Sequence, residues 1–560
     1  MRQVLKEQQD VFAGIPLFAD AAIAGYASDH GLPAAWRTGF ASKGTRLLDD
    51  VRGDFAVGMQ LEDGRTFLAV DRFAIRSLCY RIDGNHLSFA ERADDLADPA
   101  SEIDPQSIYD YLYFHFIPSP QTIFKGIRRL PPGHYALFEN GKLTVERYWS
   151  PAFTEPDKVD FNALRDEFRE LLKHSVANLL DGSKPGCFLS GGTDSSTVAG
   201  MIGAACGTAA STYSIGFDAD GFDEMEYARI TARHFGTRHH EYYVTPQDLI
   251  RSIPDVAGFY DQPFGNSSAL PAYYCAKMAR EDGVTRVLAG DGGDELFGGN
   301  KRYAKQKLFS FYDKVPVVVR RGVLEPLLLA SPLGKAPGFS KAGSYIRQAK
   351  VPLPDRTQTY NLMTRLGVNE ILTAEFLEQI DLLQPLAQQR DVWRQAGNAS
   401  QTNLELAFDW RYTLAECDLP KVVGTSTLAG LAVAFPMLSN ELVEFSMRLP
   451  THCKLKGTKL RWFFKEALRG FLPDETIAKE KKGFGLPFGV WAARNPALRA
   501  MAEDSVNSLV DRKIMRAQFV DRLFREQLYE HPTFYGEMIW ISMMLGQWLG
   551  RTRPTPVANA

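Results

Sequence analysis

Apolar and polar positions follow two regimes along this chain, and the change falls near residue 150. Between Val51 and Phe89, short apolar runs alternate with turn residues. Phe55–Met59, Thr66–Val70, Leu78–Ile82 and Leu87–Phe89 predict strands, separated by Asp63-Gly64 and Asp83-Gly84 turns. Ile108–His115 predicts a short helix. Pro118, Pro120, Pro131 and Pro132 mark an irregular crossing, and Asn140-Gly141 predicts a hairpin between Gly133–Phe138 and Lys142–Tyr148. Residues 1–150 therefore read as a β-rich domain, followed by a polar, proline-containing linker at Pro151–Asp160.

Beyond the linker the period changes. Phe161, Leu164, Phe168, Leu171, Leu172 and Val176 recur at helical spacing. The strand-like segments Gly186–Leu189, Ser211–Phe217 and Val284–Leu288 then alternate with helical ones, which predicts a parallel sheet wrapped by helices. Ligands on such sheets bind beyond the carboxyl ends of the strands. From about Leu308 the pattern is mostly helical. The fold class is α/β, with the second domain over 161–560.

Composition changes this picture little. A chain of 560 residues needs at least two domains, and a formal charge of -3 gives no electrostatic reason for binding nucleic acid or an anionic membrane. Six cysteines at 79, 187, 206, 275, 417 and 453 form no C-x-x-C pair, so neither a zinc knuckle nor a disulfide framework is indicated. No signal peptide is expected, and the apolar stretch Val315–Leu333 is interrupted by Arg320, Arg321 and Glu325, against a membrane span. A reducing cytoplasm fits.

The chemistry sits in two glycine turns. Ser190-Gly-Gly-Thr-Asp-Ser-Ser196 follows the apolar run Cys187–Leu189 and precedes a plausible helix, Ser195–Ala205. A strand, a hydroxyl-rich glycine turn and a helix place backbone N–H groups around a phosphate. Gly191 and Gly192 allow close approach, and Ser190, Ser195 and Ser196 add hydroxyls. A carboxylate repels phosphate, so the useful role of Asp194 is to hold Mg²⁺ against phosphate oxygens. The loop lacks the lysine of a G-x-x-x-x-G-K-[ST] motif. The second turn, Gly290-Asp-Gly-Gly-Asp-Glu-Leu-Phe-Gly-Gly299, crowds two aspartates and a glutamate among glycines. Like charges there repel, and a divalent cation offsets that cost. Asp294 is the expected partner of Asp194 for Mg²⁺, with Asp291 nearer the reacting carbonyl.

These two loops, with Tyr213–Phe217, Asp261–Phe264 and Ser267-Ser268, resemble the synthetase domain of the asparagine synthetase family. The resemblance continues through Leu442–Phe445, Leu449-Pro450, Lys454-Leu-Lys456 and Lys481-Lys-Gly-Phe-Gly-Leu-Pro487. Asp71-Arg-Phe73, Thr122–Ile127, Leu130–His134 and Arg147-Tyr-Trp149 are similar to its glutamine amidotransferase domain. The resemblance implies a truncated Ntn-hydrolase-like αββα sandwich followed by an adenine nucleotide alpha-hydrolase-like (ATP pyrophosphatase) domain with a helical C-terminal region. It implies ATP and Mg²⁺ as cofactors, held at Ser190, Gly191, Gly192, Thr193, Asp194, Ser195 and Ser196. Leu189, Ile215 and Gly290 would flank adenosine, Asp194 and Asp294 would bind metal, and Asp291 and Lys481 would be catalytic. A fixed ammonium at Lys481 suits the negative charge that accumulates during adenylation. The implied partners are a small-molecule carboxylate and an amine.

The chain also departs from that family. It begins Met1-Arg2-Gln3, without the N-terminal cysteine that serves the glutaminase as nucleophile, and the N-G-E-I-Y-N signature is absent. A scaffold without glutamine hydrolysis is expected, unless the start is mis-assigned. Cys79 reads as core. Val423, Ala432, Ala434 and Ser439 stand where the family carries polar groups of the expected acceptor pocket, while Lys421 and Pro436 remain and Asn300 replaces a frequent tyrosine. The expected reaction joins aspartate to ammonia. Alternatives are a cyclase or amidotransferase of a biosynthetic cluster, lasso-peptide or β-lactam synthetase-like, and a nucleotide-binding regulator without turnover. His234, His239 and His240 read as surface and edge residues rather than metal ligands. The stripe Trp540, Met543, Met544, Leu545 and Trp548 fits core or a homodimer contact.

Overall fold

The computed structural model describes residues 9–330, 339–397, 399–480, 483 and 485–551. Strand alternation builds the N-terminal part into four layers. The antiparallel sheet runs in the order Val11–Gly14, Phe55–Gln60, Thr66–Val70, His134–Glu139, Lys142–Arg147. Because successive side chains point to opposite faces, Phe55, Val57, Met59, Phe67 and Ala69 meet Trp36 and Phe40 on one side. Those two aromatics belong to the helix Leu32–Lys43, which pairs with Ala21–His30; neither helix is anticipated by the sequence pattern. Ala56, Leu68 and Val70 face the other way, toward Tyr80, Leu87 and Phe89 of a three-stranded sheet formed by His86–Ala90, Cys79–Asp83 and Ile127–Arg129. The helix Pro105–Phe114 closes the fourth layer, its Ile108 and Leu112 sharing a core with Cys79 and Ile127. The layering is αββα, as the resemblance implies.

The second sheet is wholly parallel, in the order Arg238–Val244, Ser211–Phe217, Gly186–Phe188, Arg286–Leu288, Ala432–Ala434. The interior strand Ser211–Phe217 is buried at every position, as expected where both faces are covered. Its helices pack in two groups: Phe161–Leu179 with Thr193–Cys206 and Met225–Phe235, and Ala269–Glu281 with Pro246–Phe259 and Leu419–Leu428. The edge strand Ala432–Ala434 lies inside the region that reads as helical. Three residues between Gly430 and Pro436 are too few to show a period of two.

One hydrophobic core runs through both parts. Tyr111, Ile117 and Phe124 belong to the same cluster as Phe264, Leu414 and Trp540. Tyr111 Oη donates to Ile541 O at 2.8 Å, Ser119 Oγ donates to Glu416 Oε1 at 2.6 Å, and Gly53 N donates to Asn440 Oδ1 at 3.1 Å. The stripe Trp540, Met543, Met544, Leu545 and Trp548 is buried in this core, with the indole N–H groups of Trp540 and Trp548 donating to Gly265 O and Tyr260 O. Of its two expected roles, the stripe takes the one within the chain. No helix among the described residues is long and apolar enough to cross a membrane.

Candidate active site

The Gly186–Phe188 strand ends in the first glycine turn. Leu189 N extends the parallel ladder to Tyr213 O at 2.9 Å, and the helix Thr193–Cys206 begins at Gly192. The first-turn N–H groups and positive dipole end of a helix favour an anion there. Gly191 is left-handed at φ 68°, and a Cβ on it would overlap the backbone of Tyr227 and Ala228. Ser190 and Ser195 hydroxyls lie 3.1 Å apart, and Ser190 N donates to Ser195 Oγ at 3.2 Å.

The Arg286–Leu288 strand delivers the second turn directly against the first. A Cβ on Gly290 would stand 2.7 Å from Ser195 N, and a Cβ on Gly293 would overlap the Asp194 carboxylate. The two carboxylates that sequence reasoning pairs thus converge, and both contact Arg461. Its Nη1 lies 2.7 Å from Asp194 Oδ2, 2.7 Å from Asp294 Oδ1 and 2.9 Å from Thr193 Oγ1, while Nη2 bonds Asp194 Oδ1. Burial alone would lower the Arg461 pKa; the two aspartates more than offset it and hold it above the ordinary arginine value. Sequence reasoning missed Arg461. The only signal was a basic run, Lys454, Lys456, Lys459 and Arg461, that does not single it out. It also missed Lys479, whose Nζ lies 3.0 Å from Glu224 Oε2 and 3.3 Å from Ser190 O.

Two hollows meet at this junction and share Ser190, Asp194, Ser195, Glu224 and Asp294. The larger, about 1150 Å³, is lined by Gly192, Thr193, Arg461, Lys465 and Lys479 among others. The smaller, about 420 Å³, brings Leu189, Ile215 and Gly290 together with Asp291 and Lys421. Lys421 Nζ lies 3.0 Å from Asp418 Oδ1 and 3.6 Å from Asp291 Oδ1. Burial works against the Lys421 charge, but Asp418 and Asp291 outweigh it and its pKa rises. Burial raises the Asp291 pKa, and Lys421 counters part of that rise. The arrangement can seat an apolar-flanked ring, present N–H groups and cations to phosphates, and keep an acid and an ammonium at the far wall. Asp194 and Asp294 supply the hard oxygens that suit Mg²⁺, which takes one or two carboxylates and completes its shell with phosphate oxygens and water.

Some expectations need correction. Ser196 does not face the crevice. Its hydroxyl is buried and lies 2.9 Å from Thr231 Oγ1, because adjacent helical residues point about 100° apart and Ser195 holds the crevice side. Among the described residues, Val423, Ala432, Ala434 and Ser439 do not line the crevice. Ala432 and Ala434 lie in the edge strand, and Ser439 caps the helix Asn440–Arg448. The far wall takes its polarity instead from Asp418, Lys421, Thr413 and Asn300. Lys481 lies outside the described residues. Cys79 is wholly buried, its thiol pushed up to about 12 by burial. His239 Nδ1 pairs with Thr212 Oγ1 and His234 Nε2 with Phe471 O, while His240 Nε2 lies 3.1 Å from Asp282. Among the described residues, no group of three or more His, Cys, Asp or Glu side chains is placed to hold a metal ion.

A parallel sheet with a phosphate-type turn facing an acidic glycine turn, joined to an αββα sandwich, defines a synthetase-type domain behind an amidotransferase-type one. The asparagine synthase family model matches residues 167–550, and the glutamine amidotransferase domain model matches residues 38–149. The chain belongs to the asparagine synthase family. It is 25% identical over 433 residues to asparagine synthetase (glutamine-hydrolyzing) 1 of Bacillus subtilis, covering 76% of this chain and 66% of that protein. It is 26% identical over 468 residues to a putative asparagine synthetase (glutamine-hydrolyzing) of Mycobacterium tuberculosis, covering 81% and 70%. Amidase chry2 of Gibberella zeae is 23% identical over 504 residues, covering 80% and 71%. The matched stretch thus spans about two thirds of the length of these relatives.

Proposed function

We propose that this protein is an ATP-dependent, AMP-forming amide ligase. A carboxylate oxygen of the substrate attacks the α phosphorus of ATP, and pyrophosphate leaves. An amine nitrogen then attacks the acyl carbon, AMP leaves, and the amine loses a proton. Leu189, Ile215 and Gly290 flank the adenosine. Ser190, Ser195 and the first-turn N–H groups of the helix Thr193–Cys206 receive the phosphates. Asp194 and Asp294 would hold Mg²⁺, which when bound would supply positive charge to the phosphates. Asp291 and Lys421 stand at the acyl side, where Lys421 opposes charge on the carboxylate and Asp291 takes up a proton from the amine. Lys481 is assigned to the α phosphate on the resemblance of its motif alone.

The observation that carries the reading is the interlock of the two turns, Gly290 against Ser195 and Asp194 beside Asp294, on one crevice. The default pair is aspartate with ammonia, and the first domain serves as scaffold rather than glutaminase. Acid-dependent ATP–pyrophosphate exchange across a panel that includes aspartate tests the chemistry. ATP binding with no exchange for any acid overturns it. Asparagine formation from ammonium but not from glutamine is the expected nitrogen dependence, and equal turnover from glutamine overturns the scaffold assignment.

A further inference from the structure

Asp194 and Asp294 are joined by a side chain that no sequence motif singles out. The Arg461 guanidinium touches both carboxylates and Thr193, and the residue is only 4% exposed. Its placement is built. The short hairpin Leu455–Lys456 with Lys459–Leu460 delivers it, its backbone is left-handed at φ 53°, and its guanidinium lies 4.0 Å over the Phe464 ring. Its buried Nε has no hydrogen-bond partner. A left-handed non-glycine residue and an unpaired buried donor both cost stability, so the carboxylate contacts are what hold this arginine in place.

A guanidinium and a divalent cation repel each other strongly at the spacing two shared carboxylates impose. With Arg461 in place, the pair of aspartates is already neutralised to within one charge. Bare Mg²⁺ would have to displace the arginine or sit beside it. A triphosphate changes the balance, because it brings the negative charge that two cationic groups need. The guanidinium then has phosphate oxygens to take, and its planar fork suits them. Lys465 and Lys479 line the same hollow.

We propose that Arg461 is a resident counter-cation of the nucleotide site. It holds the two acidic turns together in the nucleotide-free protein, keeps free divalent metal out, and moves to the pyrophosphate oxygens when metal and nucleotide enter together. This makes it a positioning residue for the turns and a binding residue for the leaving group. The proposal rests on the ligase reading only in taking a polyphosphate as the ligand.

Equilibrium dialysis of Mn²⁺ against the full-length protein tests it without turnover. Wild type should take up Mn²⁺ weakly alone and at least about tenfold more tightly with pyrophosphate present. Arg461→Met should bind Mn²⁺ alone about tenfold or more tightly than wild type, and its Tm, lowered in EDTA, should recover in Mn²⁺. Arg461→Lys, which keeps one charge, should fall between. Wild type binding Mn²⁺ alone as tightly as with pyrophosphate overturns the proposal, as does a variant affinity equal to wild type. If Arg461→Met does not fold, the wild-type comparison and Arg461→Lys decide. Metal exclusion that persists while no acid supports exchange overturns the ligase reading and leaves this one standing.

Discussion

Gly290→Ala isolates the contact between the two turns. Gly290 is not in the left-handed region, so alanine can adopt its backbone conformation and the effect is steric. The new Cβ would stand 2.7 Å from Ser195 N, 2.9 Å from Asp194 C and 3.0 Å from Ser195 Cα, all backbone atoms that cannot swing aside. Ordinary van der Waals separation requires the turns to part by roughly 0.5–1 Å. Overpacking of this kind costs about 1–3 kcal/mol. A shift of that size at reacting groups costs on the order of 10²-fold in turnover. Gly203→Ala is the control. It lies in the helix that follows the first turn, its Cβ would meet nothing within 4 Å, and it should gain about 0.5–1 kcal/mol. The assay pairs Mg·ATP affinity by calorimetry with exchange rates for the acid that supports exchange, beside urea midpoints. Expected for Gly290→Ala are weaker nucleotide binding and a turnover loss larger than the stability loss explains. Unchanged affinity and exchange would refute the idea that the close approach of the turns sets the site.

Ser196→Ala should lose about 1 kcal/mol of stability, from its buried bond to Thr231, with KM for ATP unchanged, whereas Ser190→Ala should raise that KM with little effect on stability. The buried Glu405 carboxyl is pushed up to about 8 by desolvation, so between pH 4.5 and 8 the folded protein keeps a proton that the unfolded chain has released. Stability should therefore fall as pH rises through that window, by up to about 1.4 kcal/mol per pH unit. Glu405→Gln, which mimics the protonated form, should flatten the fall, and parallel pH profiles of urea midpoints for the two proteins would count against it. Iodoacetamide at pH 8 should label exposed Cys206 and leave Cys79 untouched in the folded protein, as peptide mapping would read out.

The first turn was legible because its glycines and hydroxyls follow an apolar strand, and the second because carboxylates among glycines make a poor structural device without a cation. The pairing of Asp194 with Asp294 followed from charge alone. Arg461 was invisible because its role depends on a left-handed backbone at an arginine, and Gly457, which marks the turn of the hairpin before it, does not single out the residue that leaves the hairpin. Ser196 was over-assigned because a run of hydroxyls does not say which of them a helix turns inward. Val423, Ala432, Ala434 and Ser439 were placed by motif spacing, whereas Val423 lies in the helix Leu419–Leu428, the two alanines lie in an edge strand and Ser439 caps a helix. In the first domain, the strands over Phe55–Ala90 stood out by alternation. The helices Ala21–His30 and Leu32–Lys43 did not, since alanines and glycines blur their apolar faces.

The shared core carries a consequence for how such a chain can change over time. Tyr111, Ser119 and Gly53 each hand a hydrogen bond across to the synthetase half, and the aromatic side chains around Trp540 pack against both. Excising the leading portion would strip apolar surface from the synthetase half, take the Ser119 bonds from Glu416 and leave it with Arg411, and remove the Gly53 N–H from Asn440 Oδ1. The leading portion is therefore retained as a wall of its neighbour whatever chemistry it carries, and shorter descendants would need compensating substitutions along that seam before its loss could be tolerated.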